Sequence, residues 1–278
     1  MKFAICNEMF EEMPFEHVCD FIASCGYDGI EIAPFTFDED PSRISKSAAR
    51  AIGKTARDAG LDLVAMHWLL AKPTGSMGMH LTTADKIVRQ RTIVFAQRLA
   101  RLCSAMGGKV MVWGSPKQRD IAGHDDVADA TERAIDGVRA VCEVAGPLGV
   151  TVAMEPLGPS ETNFLQFAND TVEFIRRVDH PACQLHLDVK AMCQEAQPIP
   201  QVIRDHSAHL AYFHANDANL KGPGFGHTDF VPIAQALRDV HYDGFVSVEV
   251  FDYSPDPQTI ARESIKYLKQ TFGEVGAL

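Results

Sequence analysis

Eight short apolar or β-branched runs recur along the chain, and most are separated by a stretch with helical period. The runs are Phe3–Cys6, Gly29–Ile32, Leu61–Met66, Lys109–Trp113, Val150–Met154, Cys183–Leu187, Leu210–Phe213 and Phe245–Val248. The clearest helical stretch is Ala84–Met106, where Ile87, Val88, Val94, Leu99, Leu102 and Met106 recur at three-to-four spacing on roughly one face. Thr82, with Asp85 three residues later, makes a capping-box-like start, and Gly107-Gly108 supplies a stop. Val127–Val144 behaves in the same way and ends near Gly146-Pro147, while Ala261–Phe272 is the expected closing helix. Parallel strands need crossover connections, so this alternation implies a parallel sheet. Eight units predict the α/β class and a single (β/α)8 TIM barrel. An open dinucleotide-binding sheet would want GxGxxG after the first strand, where this chain reads NEMFEEMP.

The length of 278 residues suits one barrel of about 250, and no linker divides it, so residues 1–278 are expected to form one domain. No stretch approaches about 18 uninterrupted apolar residues, so no membrane-spanning helix is expected. The opening MKFAICNEMFEEM has no apolar core and is not expected to act as a secretory signal. There are 26 basic and 37 acidic side chains, a net charge of −11, which is the wrong sign for nucleic acid or an anionic membrane. Seven cysteines, odd in number and never spaced as CxxC, argue for reduced thiols and a cytoplasmic setting. Two Gly/Pro-rich patches, AKPTGSMGMH (71–80) and NLKGPGFGHTD (219–229), follow strand ends and read as loops over a site.

In such a barrel the active site lies at the carboxyl ends of the strands. Strand five runs into Glu155, strand six into Asp188, strand seven into His214 and strand eight into Glu249. Each ends an apolar run, where an unpaired charge is costly. A strand-end Glu taken singly reads as a salt-bridged residue, and a strand His as a hydrogen-bonded core residue. Four on successive strands read instead as a divalent-metal site. Its donors are mostly hard oxygen, with one nitrogen and no sulfur, which suits Mn²⁺, Mg²⁺ or Co²⁺ better than a structural zinc. His186 shares side-chain parity with Asp188, which leaves it either in the core or behind the ligands.

The motifs MEPL (154–157), HLDVK (186–190), FHAND (213–217) and VSVEVF (246–251) occur in that order. With them the chain resembles the xylose-isomerase-like TIM-barrel superfamily, within it the sugar phosphate isomerases/epimerases and their ketose 3-epimerase branch. The resemblance covers nearly the whole chain, including GYDGIE (26–31) at strand two. It implies one divalent metal ion, Mn²⁺ first with Mg²⁺, Co²⁺ or Zn²⁺ as alternatives, held by Glu155, Asp188, His214 and Glu249. It also implies that Glu155 and Glu249 act as the catalytic acid and base around an enediolate. Glu161 matches a family glutamate that contacts substrate, and otherwise reads as a loop carboxylate. The branch carries a histidine where this chain has Ala191 and an arginine where it has Leu220. Replacement donors are sought in His67, Lys221 and His227, and apolar walls in Trp68 and Trp113. Asp217 and Asp229 are read as partners orienting His214 or a substrate-binding side chain.

The resemblance therefore implies a metal-dependent sugar isomerase or epimerase with a small sugar or keto-polyol substrate and a homo-oligomeric state, dimer or tetramer. The alternative at the same site is a lyase or dehydratase acting on a keto-polyol of inosose or dehydroshikimate type, or on a 3-keto-glycoside. An abasic-site endonuclease needs more metal-binding histidines and a basic groove. A non-catalytic barrel is expected to have lost a ligand.

Overall fold

The computed structural model describes residues 1–70 and 78–278. Most of the first Gly/Pro-rich patch, residues 71–77, lies outside the described residues. All eight expected runs are strands: β1 Lys2–Cys6, β2 Gly29–Ile32, β3 Asp62–Met66, β4 Val110–Trp113, β5 Thr151–Met154, β6 Cys183–Asp188, β7 Leu210–Ala215 and β8 Phe245–Val248. They form a closed barrel in chain order, so the fold is a single (β/α)8 TIM barrel. The helices are α1 Phe15–Cys25, α2 Lys46–Asp58, α3 Lys86–Met106, α4 Val127–Ala145, α5 Ala168–Val178, α6 Val189–Met192, α7 Ile199–His206, α8 Phe230–Asp239 and α9 Pro257–Glu274. Among the described residues, no helix is long and apolar enough to cross a membrane.

The chain divides into two compact units. One holds Met1–Ile32, Lys54–Val64 and His186–Leu278; the other holds Ala33–Gly53 and Ala65–Leu185. In the first, β1 pairs in parallel with β2 (Ala4 opposite Gly29) and with β8 (Ala4 opposite Ser247), and β7 pairs with β8 (His214 opposite Ser247). Phe3 of β1 meets Phe272 of α9 edge-on, ring centroids 5.3 Å apart. In the second, β3 pairs with β4, β4 with β5, and β5 with β6, the last placing Met154 opposite Leu185. Helices α3 and α4 pack along each other there.

Several details differ from the sequence expectation, among them the closing helix, which runs from Pro257 to Glu274 rather than from Ala261 to Phe272. Helix α3 begins at Lys86, because Asp85 is the cap: its carboxylate accepts from the Ile87 and Val88 N–H groups, 2.8 and 3.2 Å. Thr82 is occupied elsewhere, donating to the Asp120 carbonyl. The stop is as expected, with Gly107 in the left-handed region at φ 104°. The buried stripe of α3 runs through Ile93, Ala96, Leu99, Cys103 and Met106, which turns Ile87 (74% exposed) and Val94 outward. Strands β6 and β7 run one and two residues past their apolar runs, to Asp188 and Ala215.

Strands covered on both faces read as continuous apolar runs. Against that background the fully buried Glu31, His186, Asp188, His214 and Ser247 stand out.

Candidate functional site

In the first unit the site grows from the ends of β6, β7 and β8. Asp188 is the last residue of β6 and also the cap of α6. Its Oδ1 accepts from the Ala191 N–H at 2.8 Å, and its Oδ2 accepts from Asn216 Nδ2 at 2.5 Å. The Oδ1 of Asn216 accepts from the Lys190 N–H at 2.7 Å, so one amide ties the end of β6 to the segment after β7. Glu249, just past β8, has its backbone held by the Ala215 carbonyl at 3.3 Å.

His214 lies between two carboxylates. Its Nδ1 is 3.1 Å from Glu249 Oε2, and its Nε2 is 3.0 and 3.2 Å from the two oxygens of Glu31 on β2. The His186 ring stands edge-on to it, centroids 4.2 Å apart. Ligand atoms of His186, Asp188 and His214 lie within 4.8 Å of one another. Burial alone would lower the His214 pKa, but Glu31 and Glu249 outweigh it and hold the imidazole well above its ordinary value. Burial pushes the Asp188 carboxyl up, and Glu249 adds to this, while Lys190, His214 and the Ala191 N–H oppose it.

These charges fit a divalent cation. Two carboxylates and an imidazole are buried where a positive ion would relieve the desolvation that raises Asp188. Donors around an ion of Mn²⁺ or Mg²⁺ size sit about 3 Å apart, within the observed spacing. The donors are carboxylate oxygen and imidazole nitrogen, and His186, expected either in the core or behind the ligands, stands among them beside His214.

In the second unit, Glu155 follows β5 and is held through its backbone. Its N–H donates to the Trp113 carbonyl at 3.2 Å, and its own carbonyl accepts from Arg119 Nη1 at 2.7 Å. Arg119 is fully buried and also donates to the carbonyls of Trp113 and Leu165. Burial pulls its guanidinium down to about 10. Gly114 lies beside the Glu155 carboxylate, and a Cβ there would overlap it. In the closed barrel β5, β6, β7 and β8 are neighbours in that order. Glu155, Asp188, His214 and Glu249 therefore stand at the carboxyl ends of four consecutive strands.

The remaining expected residues are placed as follows. His67 and Trp113 are buried at the ends of β3 and β4, and the Trp113 indole N–H has no hydrogen-bond partner among the described residues. Glu161 is half-buried in the loop after β5, its N–H donating to Gly158. Lys221 Nζ lies 3.7 Å from Asp252, and His227 is exposed in the loop after β7. Asp217 and Asp229 do not orient His214. Asp217 accepts from the Thr228 N–H and hydroxyl, fastening its loop, and Asp229 caps α8 through the Val231 N–H. The carboxylate that meets His214 Nε2 is that of Glu31. Ala191 is used for its backbone N–H, and Leu220 sits at φ 70° with its carbonyl accepting from Phe251 and Asp252.

Sequence reasoning passed over Glu31, Asn216 and Arg119. Glu31 did carry a signal, an acid inside the apolar run GIEI. Asn216 lay inside a quoted motif without a role. Arg119 carries no signal, since its partners are carbonyls far along the chain.

A family model described as xylose isomerase-like TIM barrel matches residues 19–271. The D-psicose 3-epimerase of Ruminiclostridium cellulolyticum is 29% identical over 248 residues, covering 86% of this chain and 79% of that protein. The L-ribulose 3-epimerase of Mesorhizobium japonicum is 26% identical over 216 residues, covering 70% and 73%. The crystal structure of a D-psicose 3-epimerase in the presence of D-fructose matches with a TM-score of 0.83 at 22% identity, covering 98% of this chain and 100% of that one, a likeness of fold. The relatives named here are sugar 3-epimerases, enzymes of the isomerase class. With the family model matching from α1 to α9, the chain belongs to the xylose isomerase-like TIM barrels.

Proposed function

We propose that this protein is a divalent-metal-dependent ketose epimerase that moves a proton at the carbon next to the carbonyl, through an enediolate. The observation that carries the reading is the buried cluster of Asp188, His214 and Glu249, where an imidazole faces a carboxylate at 3.1 Å at the mouth of a barrel. Glu155 completes the set, supported by its place on the adjoining strand end. When bound, the ion would act as a Lewis acid toward the oxygens of the carbonyl and its neighbouring hydroxyl. Mn²⁺ is the first choice, with Mg²⁺, Co²⁺ and Zn²⁺ as alternatives.

The chain's own residues do the rest. One of Glu155 and Glu249 takes the proton as the C–H bond breaks and its electron pair moves into the carbonyl. The other returns a proton from the opposite face, and exchange with water restores both. Asn216 and the Ala191 N–H fix Asp188; Arg119 and Gly114 fix where Glu155 points. Burial keeps bulk water from the enediolate. Glu161, His67, Lys221, His227 and Trp113 are assigned to the sugar itself. Ala191 and Leu220 replace two gripping side chains of the branch, so the preferred sugar is expected to differ from that of its 3-epimerase relatives. The cysteines favour the cytoplasm, and a dimer or tetramer is expected.

The test is wash-in of solvent deuterium next to the carbonyl, run with Mn²⁺ and a panel of ketoses and inososes. Exchange with at least one substrate, lost in Glu155→Gln and in Glu249→Gln, is expected. No exchange with any member would overturn the reading. The elimination alternative is not favoured by relatives that are 3-epimerases, and mass spectrometry for released water or aglycone would detect it.

A further inference from the structure

A histidine ligand can fail in a way a carboxylate cannot. Neutral imidazole carries one proton on one of two nitrogens, and only the other nitrogen can bind a cation. What meets the far nitrogen therefore decides which one is available. In this protein the far nitrogen is Nε2, and it meets Glu31.

Glu31 is completely buried and belongs to β2, a strand outside the proposed ligand set. Besides His214, its Oε2 accepts from the Tyr212 hydroxyl at 2.9 Å, from the Ser247 hydroxyl at 2.7 Å and from the Cys6 thiol at 3.4 Å. Such a ring of donors suits an ionised carboxylate, which only accepts. The positions of those donors follow from strand geometry. Tyr212 precedes His214 by two residues on β7, and Ser247 precedes Glu249 by two at the end of β8. Side chains two apart on a strand share a face. The two strands that present His214 and Glu249 thus each send a hydroxyl down to the same carboxylate.

We infer that Glu31 is a positioning residue for the metal centre: it accepts the Nε2 proton of His214, and so turns the Nδ1 lone pair toward Asp188 and Glu249. This rests on the metal-dependent reading above. Tyr212 and Ser247 hold Glu31 in place without touching the ion. An amide in place of Glu31 that kept its oxygen toward the two hydroxyls would set an N–H₂, which cannot accept, in the Oε1 position beside His214 Nε2.

The test measures metal binding rather than turnover. Chelator-treated wild-type protein and the variants Glu31→Gln, Asp188→Asn and the double variant Tyr212→Phe/Ser247→Ala are titrated with Mn²⁺ by calorimetry. Each is also loaded with Co²⁺ and its visible spectrum recorded, with circular dichroism as the check on folding. E31Q is expected to weaken Mn²⁺ binding by about 10- to 100-fold, the usual cost of losing a partner behind a ligand, and to alter the Co²⁺ spectrum. The double variant is expected to weaken binding less, in the same direction, and it carries the test if E31Q does not fold. Wild-type affinity and an unchanged spectrum in E31Q or the double variant, while D188N binds poorly, would overturn the role of Glu31 and leave the metal reading standing. Failure of the wild-type protein to bind Mn²⁺ or Co²⁺ would overturn both.

Discussion

Glu155 and His214 stand at the ends of strands of the same barrel, yet they are held in opposite ways. His214 is held by its side chain, with a carboxylate at each ring nitrogen and a second imidazole against its face. Glu155 is held by its backbone, through Arg119 and the Trp113 carbonyl, and its carboxylate is limited by the space that Gly114 leaves. A clamped side chain suits a ligand that must keep one direction. A backbone fixed from both sides suits a group whose carboxylate must stand at one point to take a proton from a substrate. The contrast assigns different jobs to two members of one proposed ligand set, and it can be broken by mutation.

The largest effects should separate chemistry from stability. Glu155→Gln is expected to lower turnover by about 10²- to 10⁴-fold, the range for losing a general acid or base, with little change in melting temperature. His214→Ala is expected to do the reverse in metal-free protein. It removes the imidazole that faces the buried Glu31 and Glu249 carboxylates, and breaking a buried charged pair costs about 3–5 kcal/mol, measurable by urea unfolding. If E155Q unfolded the protein or H214A left its stability unchanged, the comparison would fail. Next in size is Arg119→Met, which takes a donor from three buried carbonyls, two of which keep a backbone N–H, and is expected to cost about 1–3 kcal/mol. Its loss of turnover should exceed any loss of Mn²⁺ affinity, because only the support of Glu155 is removed.

The two regions were unequally legible in the sequence. Buried parallel strands read as unbroken apolar runs, so all eight were visible, and the polar residue ending a run was visible with them. Asp188, His214 and Glu249 were found in that way. Glu31 sits inside a run rather than at its end, and its importance depends on hydroxyls 181 and 216 residues away. Arg119 is less legible still: it lies in the polar segment SPKQRD and bonds only to carbonyls, which every residue has. Helix α6 has four residues, too few for any period to appear, yet its first turn fixes Asp188. Asp217 fastens a loop and Asp229 caps α8, uses that were not legible because an acid after a strand looks the same whether it faces a ligand or caps a loop. The outward turn of Ile87 and Val94 has a similar cause, since apolar spacing alone does not say which of two overlapping stripes is buried.

Gly114→Ala sharpens the comparison with a smaller change. The three atoms nearest the added methyl group all belong to side chains, two in the Glu155 carboxyl group and one in Leu157. It is expected to lower kcat/KM by about 10²-fold, as displacing a reacting group by roughly 1 Å does, while the melting temperature shifts little. Deuterium wash-in read beside Mn²⁺ affinity would distinguish a displaced proton carrier, in which exchange falls and binding holds, from a damaged ligand, in which both fall together.

The smallest expected effect concerns Asp256, which holds backbone and side chain at once. Asp256 caps α9, accepting from the Thr259 N–H and from the Thr259 hydroxyl, both at 2.8 Å, and these bonds hold its carboxyl below the ordinary value of 3.8. A carboxyl depressed in the folded protein adds stability above about pH 4, and that stability is lost as pH falls through the folded value. Asp256→Asn keeps an acceptor for the helix start but does not titrate. Melting temperatures from pH 5 to pH 2.5 should therefore show the wild-type protein slightly more stable at the upper end, with its advantage over D256N disappearing toward the lower. Parallel curves for the two proteins would mean that the cap works through geometry alone, and that its charge contributes nothing.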